Sequence, residues 1–180
     1  MEAQDVLSFW FDELDPKQWW KKSEQLDQEI KNRFEPTLRQ ARACELSHWR
    51  NRPDGRLAEI IVLDQFSRNI FRDKADAFES DQLALGLSQE AYRYRVHEEL
   101  LPKQRMFLYM PFMHSESVVI HKTALEIFSN VEGLKDNLEF EVRHKKIVDR
   151  FGRYPHRNKI LGRKSTEEEL MFLKEPGSSF

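Results

Sequence analysis

The sequence predicts an all-α protein with a single domain. Leu, Glu, Lys, Arg and Gln are abundant while the 180 residues include 6 Gly, and no extended run alternates apolar with polar residues as a half-buried strand does. The 13 Phe, 4 Trp and 4 Tyr are many for a chain that is 33% charged, which predicts a core of aromatic rings between helices. We assign residues 1–174 to one helical domain and residues 175–180 to a flexible C-terminal tail.

Charge and cysteine content narrow the classes of function. The formal net charge is −2, whereas nucleic-acid-binding domains usually carry a large basic excess. A single cysteine, Cys44, excludes an intramolecular disulfide and fits a reducing compartment. The N-terminus is acidic, and no stretch approaches the roughly 18 apolar residues that a membrane span needs. We therefore expect a cytoplasmic protein without nucleic-acid or membrane partners, whose oligomeric state the sequence does not indicate.

The N-terminal half contains four predicted helical segments. Asp5–Leu14 is too apolar for a surface helix and should be covered by its neighbours. Ser23 is a suitable N-cap for a second helix, in which apolar residues recur every four positions. Pro36 fits the first turn of a third helix, where a missing N–H costs nothing. Residues 57–72 form the fourth segment, again with helical spacing of apolar residues.

Helix starts and stops in the next part of the chain are predicted from capping residues and prolines. Asp76 and Glu79 resemble a capping box before the next helix. Pro102 can open a further helix because its first turn needs no N–H donor. Pro111 should end that helix, since proline removes a backbone donor and clashes with the preceding turn.

Two further capping signals mark the helices of the C-terminal part. Ser115 is a natural N-cap for an apolar helix that follows it. Ser165–Glu168 has the spacing of a capping box and should open a short last helix over residues 166–174. The segment between residues 151 and 165 is held between a helix that ends near Phe151 and this last helix, so we expect it to be ordered.

Residues 150–164 form a basic loop without Asp or Glu. Gly152, Pro155 and Gly162 interrupt regular secondary structure there. The loop is either a solvated basic turn or an anion-binding loop, because planar guanidinium groups suit carboxylates and phosphates. Apolar residues within it favour a loop folded onto the core. Its basic residues are Arg150, Arg153, His156, Arg157, Lys159, Arg163 and Lys164.

Asp64 lies among apolar residues of the fourth predicted segment. Helical spacing places its carboxylate on or beside the apolar face, and a buried Asp is costly unless it is paired. Arg68 at i+4 is the nearest partner in sequence. An Asp–Arg clip that fixes the helix end and a catalytic or binding role both explain this pattern.

Histidines are the remaining candidates for chemistry. His114 and His121 flank a predicted helix start and can approach Glu116, but a metal site needs at least three converging ligands. His144 follows Glu141 in a single E-x-x-H pair, whereas di-iron bundles need two such pairs. We therefore predict no metal and no cofactor. His144 also lies on the apolar stripe of its helix, so it is either a core histidine or part of a site next to the basic loop.

Five motifs together carry a resemblance. They are V-L-x-F-W-F from residue 6, L-D-Q-F-S-R-N-I-F-R from 63, P-F-M-H-S-E from 111, F-G-R-Y-P-H-R-N from 151 and L-G-R-x-S-T-x-E from 161. In this order the motifs resemble a bacterial family catalogued as domain of unknown function 924. Ser67 stands where we expect proline in that family, and Tyr154 where it usually has phenylalanine.

The resemblance implies an all-helical, tetratricopeptide-like right-handed array of stacked antiparallel helix pairs. A regular 34-residue repeat is not visible in the chain. The family carries no established activity, so the resemblance implies no reaction and no site residues. The residues themselves must carry any functional hypothesis.

The first hypothesis is a pocket that binds or acts on a small anionic molecule. Arginines would hold the anion, one histidine would act as acid or base near neutral pH, and Asp64 or Glu116 would orient it. No nucleophilic Ser or Cys has a recognisable context, which argues against covalent catalysis. The catalytic candidates are Asp64, His114, Glu116 and His144. The ligand-binding candidates are Arg68, Asn69, His121, Arg153, His156, Arg157, Asn158 and Arg163.

Two alternatives remain open. A tetratricopeptide-like module could clamp an acidic peptide or a partner helix with the same arginines, or the polar residues could form an ion-pair network that only fixes helix packing. A closed cavity containing the histidines favours chemistry, whereas an open groove lined by Arg, Asn and aromatic residues favours peptide binding. We favour the small-molecule pocket because the motifs hold more histidines than a peptide clamp needs.

Overall fold

The computed structural model describes residues 1–179 as helices and connecting turns, without a strand. The predicted all-α fold is confirmed, whereas the tetratricopeptide-like arrangement stays a prediction. The α-helices are α1 (Ala3–Ser8), α2 (Glu24–Arg42), α3 (Pro53–Ile61), α4 (Ser67–Ile70), α5 (Asp81–Arg93), α6 (Pro102–Met113), α7 (Val118–Asn130), α8 (Lys135–Phe151) and α9 (Glu167–Phe172). Over residues 1–179, none of them has the length and apolar character required to cross a membrane.

Two π-helical segments extend the first and third helices. Phe9–Glu13 continues α1, and Val62–Phe66 joins α3 to α4 so that helical backbone runs from Pro53 to Ile70. A π turn carries one residue more than an α turn and occurs often at functional sites. Asp64 lies in the second of these turns. Turns of 3-10 helix cover Pro16–Trp20, Ser47–Asn51, Ala75–Phe78, Val96–Glu99 and Pro155–Arg157.

Aromatic rings form much of the main core. The Trp10 ring lies 5.6 Å from that of Phe66 and 5.4 Å from that of Phe107, both edge-on. These rings come from α1's extension, the π turn and α6, and so join the two halves of the chain. Around them α1 packs on α3, α2 on α4, α5 on α6, and α7 on α8. Edge-to-face ring pairs add stabilisation beyond the burial of their area.

Prolines predicted to bound helices lie inside them. Pro36 belongs to the interior of α2 and Pro111 to the interior of α6. Each proline removes one backbone hydrogen bond, but in α2 the buried face is continuous from Ile30 to Leu38 across the proline. The tertiary packing of that face outweighs the missing bond, so the sequence signals for a helix boundary at these two positions were wrong.

Three predicted caps are displaced. Ala75–Phe78 is a 3-10 turn rather than a capping box, and α5 follows Ser80. Ser115 accepts a hydrogen bond from the N–H of Ser117, which is the residue that precedes α7. At α9 the capping box lies one residue later than predicted, between Thr166 and Glu169. Each displacement is small, and the helices α5, α7 and α9 begin two to five residues after the predicted caps.

The basic loop is folded onto the protein. Tyr154 is fully buried in a second, smaller apolar cluster with Ile147 and Val148 of α8, and Phe172 of α9 packs against this cluster. In the predicted tail, the Ser178 hydroxyl donates to the carbonyl of Leu173. Residue 180 of that tail lies outside the described residues, and the division of the chain at residue 174 stays a prediction.

Two helical glycines make a matched pair for a stability test. A Cβ at Gly55 would lie 2.1 Å from the carbonyl oxygen of Trp49, whereas one at Gly86 would meet nothing within 4 Å. We expect Gly55→Ala to lower the free energy of unfolding by about 1–3 kcal/mol through overpacking. Gly86→Ala should raise it by roughly 0.5–1 kcal/mol through helix propensity. Urea unfolding measures both, and equal effects in the two variants would contradict the close approach.

Candidate functional site

A buried carboxylate and an imidazole meet where the π turn faces the end of α6. Asp64 is 1% exposed, and its Oδ1 lies 2.7 Å from Nδ1 of His114, the residue that follows α6. Gln65 Nε2 donates to Asp64 Oδ2 at 2.5 Å. Arg68 Nη1 lies 3.0 Å from Asp64 Oδ1 and donates to the Asp64 backbone carbonyl at 2.8 Å. Each carboxylate oxygen therefore has a partner.

The electrostatics of this pair define its protonation states. Burial alone would raise the pKa of Asp64, but Arg68, His114 and Gln65 together hold that pKa well below its usual range. Burial lowers the pKa of His114, and although Asp64 opposes this effect, the net shift is downward from 6.5. The imidazole is thus neutral at pH 7, so Arg68 supplies the positive charge that keeps Asp64 ionised. Nδ1 of His114 then donates its proton to Asp64.

Asp81, at the start of α5, links two arginines. Arg68 Nη1 lies 2.9 Å from Asp81 Oδ1, and Arg68 Nη2 donates to Asp81 Oδ2 at 3.1 Å. Arg157 of the basic loop donates to the same Oδ2 from Nη1 at 3.3 Å. Asp64 and Asp81 therefore balance the two guanidinium groups, and the inner part of the site is close to neutral.

Arg157 is held mainly by aromatic rings. Its guanidinium carbon lies 4.6 Å from the ring centroid of Phe78 and 4.7 Å from that of Tyr154. The residue is 7% exposed, and its buried Nε has no hydrogen-bond acceptor among residues 1–179. Burial, followed by repulsion from Arg68, lowers the pKa of this guanidinium.

A cavity of about 660 Å³ opens beside these groups. Residues between 75 and 85 line one side, residues between 111 and 117 line another, and Arg157 and Leu161 of the basic loop complete the wall. His114 and Asp81 both line it. The hydrogen bonds of residues 1–179 include none to His114 Nε2, so this ring nitrogen is the one available to a ligand.

The backbone on both sides of His114 is fixed by buried side chains. The Tyr154 hydroxyl donates to the Met113 carbonyl at 2.6 Å. His121 Nε2 donates to the Ser115 carbonyl at 2.8 Å, while its Nδ1 lies 2.7 Å from a carboxylate oxygen of Glu141. His121 and Glu141 are both fully buried, and burial raises the pKa of Glu141. These residues position the turn that carries His114 without lining the cavity.

Glu116 anchors the basic loop. It accepts two hydrogen bonds from Arg163, at 2.6 and 2.9 Å, and a third from the backbone N–H of Tyr154 at 2.8 Å. Asn158, which is fully buried, accepts from Arg163 Nε and donates to Ser165. Glu116, Arg163 and Asn158 therefore connect the loop to the turn before α7, and this pairing occupies most of the donors of Arg163.

Other predicted site residues lie away from the cavity lining. Arg153 donates twice to Glu169 of α9, at 2.7 and 2.8 Å, and Asn69 donates to Asp27 of α2. His144 Nδ1 lies 2.8 Å from the backbone carbonyl of Phe140, one turn earlier in α8. His156 packs its ring against Tyr154 at 5.6 Å. These four residues stabilise the surrounding helices and loop in the structure.

Sequence reasoning missed Asp81 and Phe78, which complete the arrangement around Arg157. Asp81 at a helix start has a sufficient local explanation in the helix dipole, and Phe78 is one of many aromatic residues. No signal in the sequence separates them from structural residues. Within residues 1–179, no cluster of His, Cys, Asp and Glu could hold a metal ion.

A second cavity, of about 500 Å³, lies near Arg95, His97 and Arg105. Arg105 donates to backbone carbonyls there, including that of His97 at 2.9 Å. His97 Nδ1 lies 2.6 Å from the Tyr109 hydroxyl. Because these polar groups pair with one another, this cavity offers a ligand less unsatisfied hydrogen-bonding capacity than the one beside His114.

Comparison with known proteins places the chain in a family. A model for the family described as bacterial protein of unknown function (DUF924) matches residues 6–177. The chain belongs to this family. The DUF924 chain is also similar to a solved structure of a protein of unknown function from Agrobacterium tumefaciens, with 34% identity, 96% of each chain covered and a TM-score of 0.89. No curated protein matches it.

Two histidines outside the cavity lining contribute to a dependence of stability on pH. Burial lowers the pKa of His144 to about 3, and burial together with Arg157 lowers that of His156 to about 4. Both bind protons in the unfolded chain at a higher pH than in the folded protein. The free energy of unfolding should therefore fall as pH drops from about 7 to about 5, by up to about 1.4 kcal/mol per pH unit for each histidine.

Urea unfolding across that pH range measures the slope. His144→Gln should make the slope shallower, because the variant lacks an imidazole whose pKa is lowered in the folded protein. His48→Gln is the control, since His48 is exposed and its replacement should leave the slope unchanged. A wild-type stability that is constant from pH 7 to pH 5 would contradict the downward shifts.

Proposed function

We propose that the cavity beside His114 binds a small molecule with an anionic group, and that His114 acts on it as a general base oriented by Asp64. The single observation that carries this proposal is the 2.7 Å contact between the buried Asp64 carboxylate and His114 Nδ1 at the wall of the cavity. It gives the imidazole one defined tautomer, with the lone pair of Nε2 free to accept a proton.

The surroundings suit a base rather than an acid. Because the pKa of His114 is lowered by burial, the ring is neutral at pH 7 and ready to accept a proton. When it does so, the imidazolium forms beside the ionised Asp64, which stabilises the new charge. Arg68 maintains the ionisation of Asp64 throughout. The reaction class is proton removal from the ligand or from a water molecule, and the proposal includes no covalent intermediate.

A small-molecule site explains the cavity better than a peptide clamp. Its volume of about 660 Å³ lies within the usual range for ligand pockets, roughly 300–1,000 Å³. Arg153 and Arg163, two arginines suited to clamping carboxylates, already form two hydrogen bonds each with Glu169 and Glu116. Arg157 is the arginine of the cavity wall whose donors are mostly unused.

Titration of His114 by nuclear magnetic resonance tests the base. We expect a pKa below 6.5 and a neutral ring protonated on Nδ1. Asp64→Asn should lower that pKa further, because it removes the negative charge that favours imidazolium. Asp27→Asn is the matched control, since Asp27 pairs with Arg72 elsewhere in the fold, and it should leave the His114 titration unchanged.

The wild-type titration is decisive even if Asp64→Asn does not fold. A His114 pKa at or above 6.5, or a ring protonated on Nε2 at neutral pH, would contradict the proposed base. A thermal-shift screen then links the base to a ligand, because a specific ligand stabilises the folded state by mass action. Any small molecule that raises the melting temperature should also shift the His114 resonance. Stabilisation by acidic peptides alone would favour the interaction module instead.

A further inference from the structure

Arg157 is a buried cation that forms few hydrogen bonds with the described residues. Its guanidinium carbon lies 4.6 Å from the ring centroid of Phe78 and 4.7 Å from that of Tyr154, and its direct hydrogen bond to the described residues is the 3.3 Å contact with Asp81. Buried Nε has no acceptor within residues 1–179. Buried polar groups in proteins are nearly always hydrogen-bonded. A buried guanidinium group at a cavity wall, with N–H donors that lack an acceptor, indicates that a ligand supplies the acceptor.

The shape of this cation favours a carboxylate. A guanidinium group presents parallel N–H donors in one plane, and this fork matches the two oxygens of a carboxylate. The rings of Phe78 and Tyr154 already pack against the guanidinium group, so a carboxylate would meet its N–H donors along the edge of the guanidinium plane. Asp81 already engages this cation weakly while it forms closer contacts with Arg68. A second carboxylate at Arg157 would satisfy the remaining donors.

The charge of the cavity wall disfavours a second negative charge on the ligand. The lining residues include more carboxylates than arginines. Arg157 is the arginine, and the carboxylates are those of Asp76, Glu79, Asp81 and Glu116. Glu79 pairs with Arg42 and Glu116 with Arg163, whereas the ion pairs of residues 1–179 include none to the exposed Asp76. A monoanion can pair with Arg157, but a further negative charge would face carboxylates at short range.

Part of the wall is apolar. Phe78, Leu85, Pro111 and Leu161 contribute hydrocarbon surface on several sides of the cavity. Ligand sites typically combine such surface with a few polar groups that fix orientation. Apolar surface of this kind would bury the body of a ligand whose charged end lies at Arg157.

We infer that the ligand is a monocarboxylate with an apolar body, bound through its carboxylate to Arg157. This inference rests on the proposed function, because it names the ligand of the same cavity, and it adds a rule of selectivity. Dicarboxylates and phosphate dianions are disfavoured by the carboxylates of the wall, above all by Asp76, and amines lack a partner at Arg157. Arg157 and His114 line the same cavity, so a ligand bound at Arg157 shares that cavity with the base.

Four six-carbon probes test the class of ligand. Hexanoate, adipate, hexanol and hexylamine share a linear carbon skeleton and differ in charge, and calorimetric titration compares their affinities. We expect hexanoate to bind at least about tenfold more tightly than each of the others. Equal binding of hexanol would show that Arg157 contributes no charge recognition. Binding of adipate or of inorganic phosphate that is tighter than that of hexanoate would show that the cavity prefers ligands with two negative charges. Either result would overturn the inference.

Variants of single residues test whether Arg157 recognises the carboxylate. Arg157→Lys keeps a cation but loses the planar fork, and it should weaken hexanoate binding at least about tenfold. Arg153→Lys is the matched control, because Arg153 pairs with Glu169 outside the cavity lining, and it should bind hexanoate as the wild type does. If Arg157→Lys fails to fold, Asp76→Asn tests the selectivity instead, since the exposed Asp76 can be neutralised without disturbing the core. This variant should reduce the difference in affinity between adipate and hexanoate. An unchanged difference would contradict the role given to the carboxylates of the wall.

The His114 resonance separates the two proposals. Hexanoate binding that depends on Arg157 but leaves His114 unperturbed would retain the ligand class and refute the general base. Binding of hexylamine or adipate that shifts His114 would retain the site and refute the monocarboxylate. A shift of His114 by hexanoate that is lost in Arg157→Lys supports both.

Discussion

The Asp64 carboxylate carries a negative charge inside the helical core, and the groups around it are arranged to compensate for that charge. Removal of one partner from a buried ion pair typically costs about 3–5 kcal/mol, because the other charge is left unpaired. Arg68 provides the counter-charge, and His114 and Gln65 provide hydrogen bonds. The positions of the π turn, the end of α6 and, through Asp81, the basic loop all depend on this compensation.

The sequence predicted the partners that lie close together along the chain and not those that the fold brings together. The i, i+4 spacing identified Arg68 as a partner of Asp64, and helical periodicity predicted the apolar faces. His114 lies 50 positions from Asp64, so no spacing rule could join them. Arg153, Arg157 and Arg163 look alike in the sequence. Their different environments are set by Glu169, Asp81 and Glu116, which come from other elements.

The ion pairs that hold the basic loop also position residues of the proposed site. Arg163 with Glu116 and Arg153 with Glu169 hold the basic loop and α9 in place. By fixing the loop, these pairs also fix Tyr154, whose ring stacks on Arg157 and whose hydroxyl holds the carbonyl before His114. An ion-pair network that only supports packing would satisfy its members with one another. Arg157 Nε is one of the buried polar atoms that the described residues leave without a hydrogen-bond partner, and it belongs to a residue that lines the cavity.

The π turn at Val62–Phe66 makes the length of this segment critical as well as its composition. An α-helix rotates by about 100° for each residue, so one residue removed from the turn would turn everything after it relative to everything before it. The preceding stretch packs on α1 and the following one on α2, and both orientations are fixed by buried surface. Point substitutions in this segment are therefore easier to accommodate than a single-residue deletion. A deletion would either rotate one part of the helix away from its packing partner or move Asp64 away from Arg68 and His114.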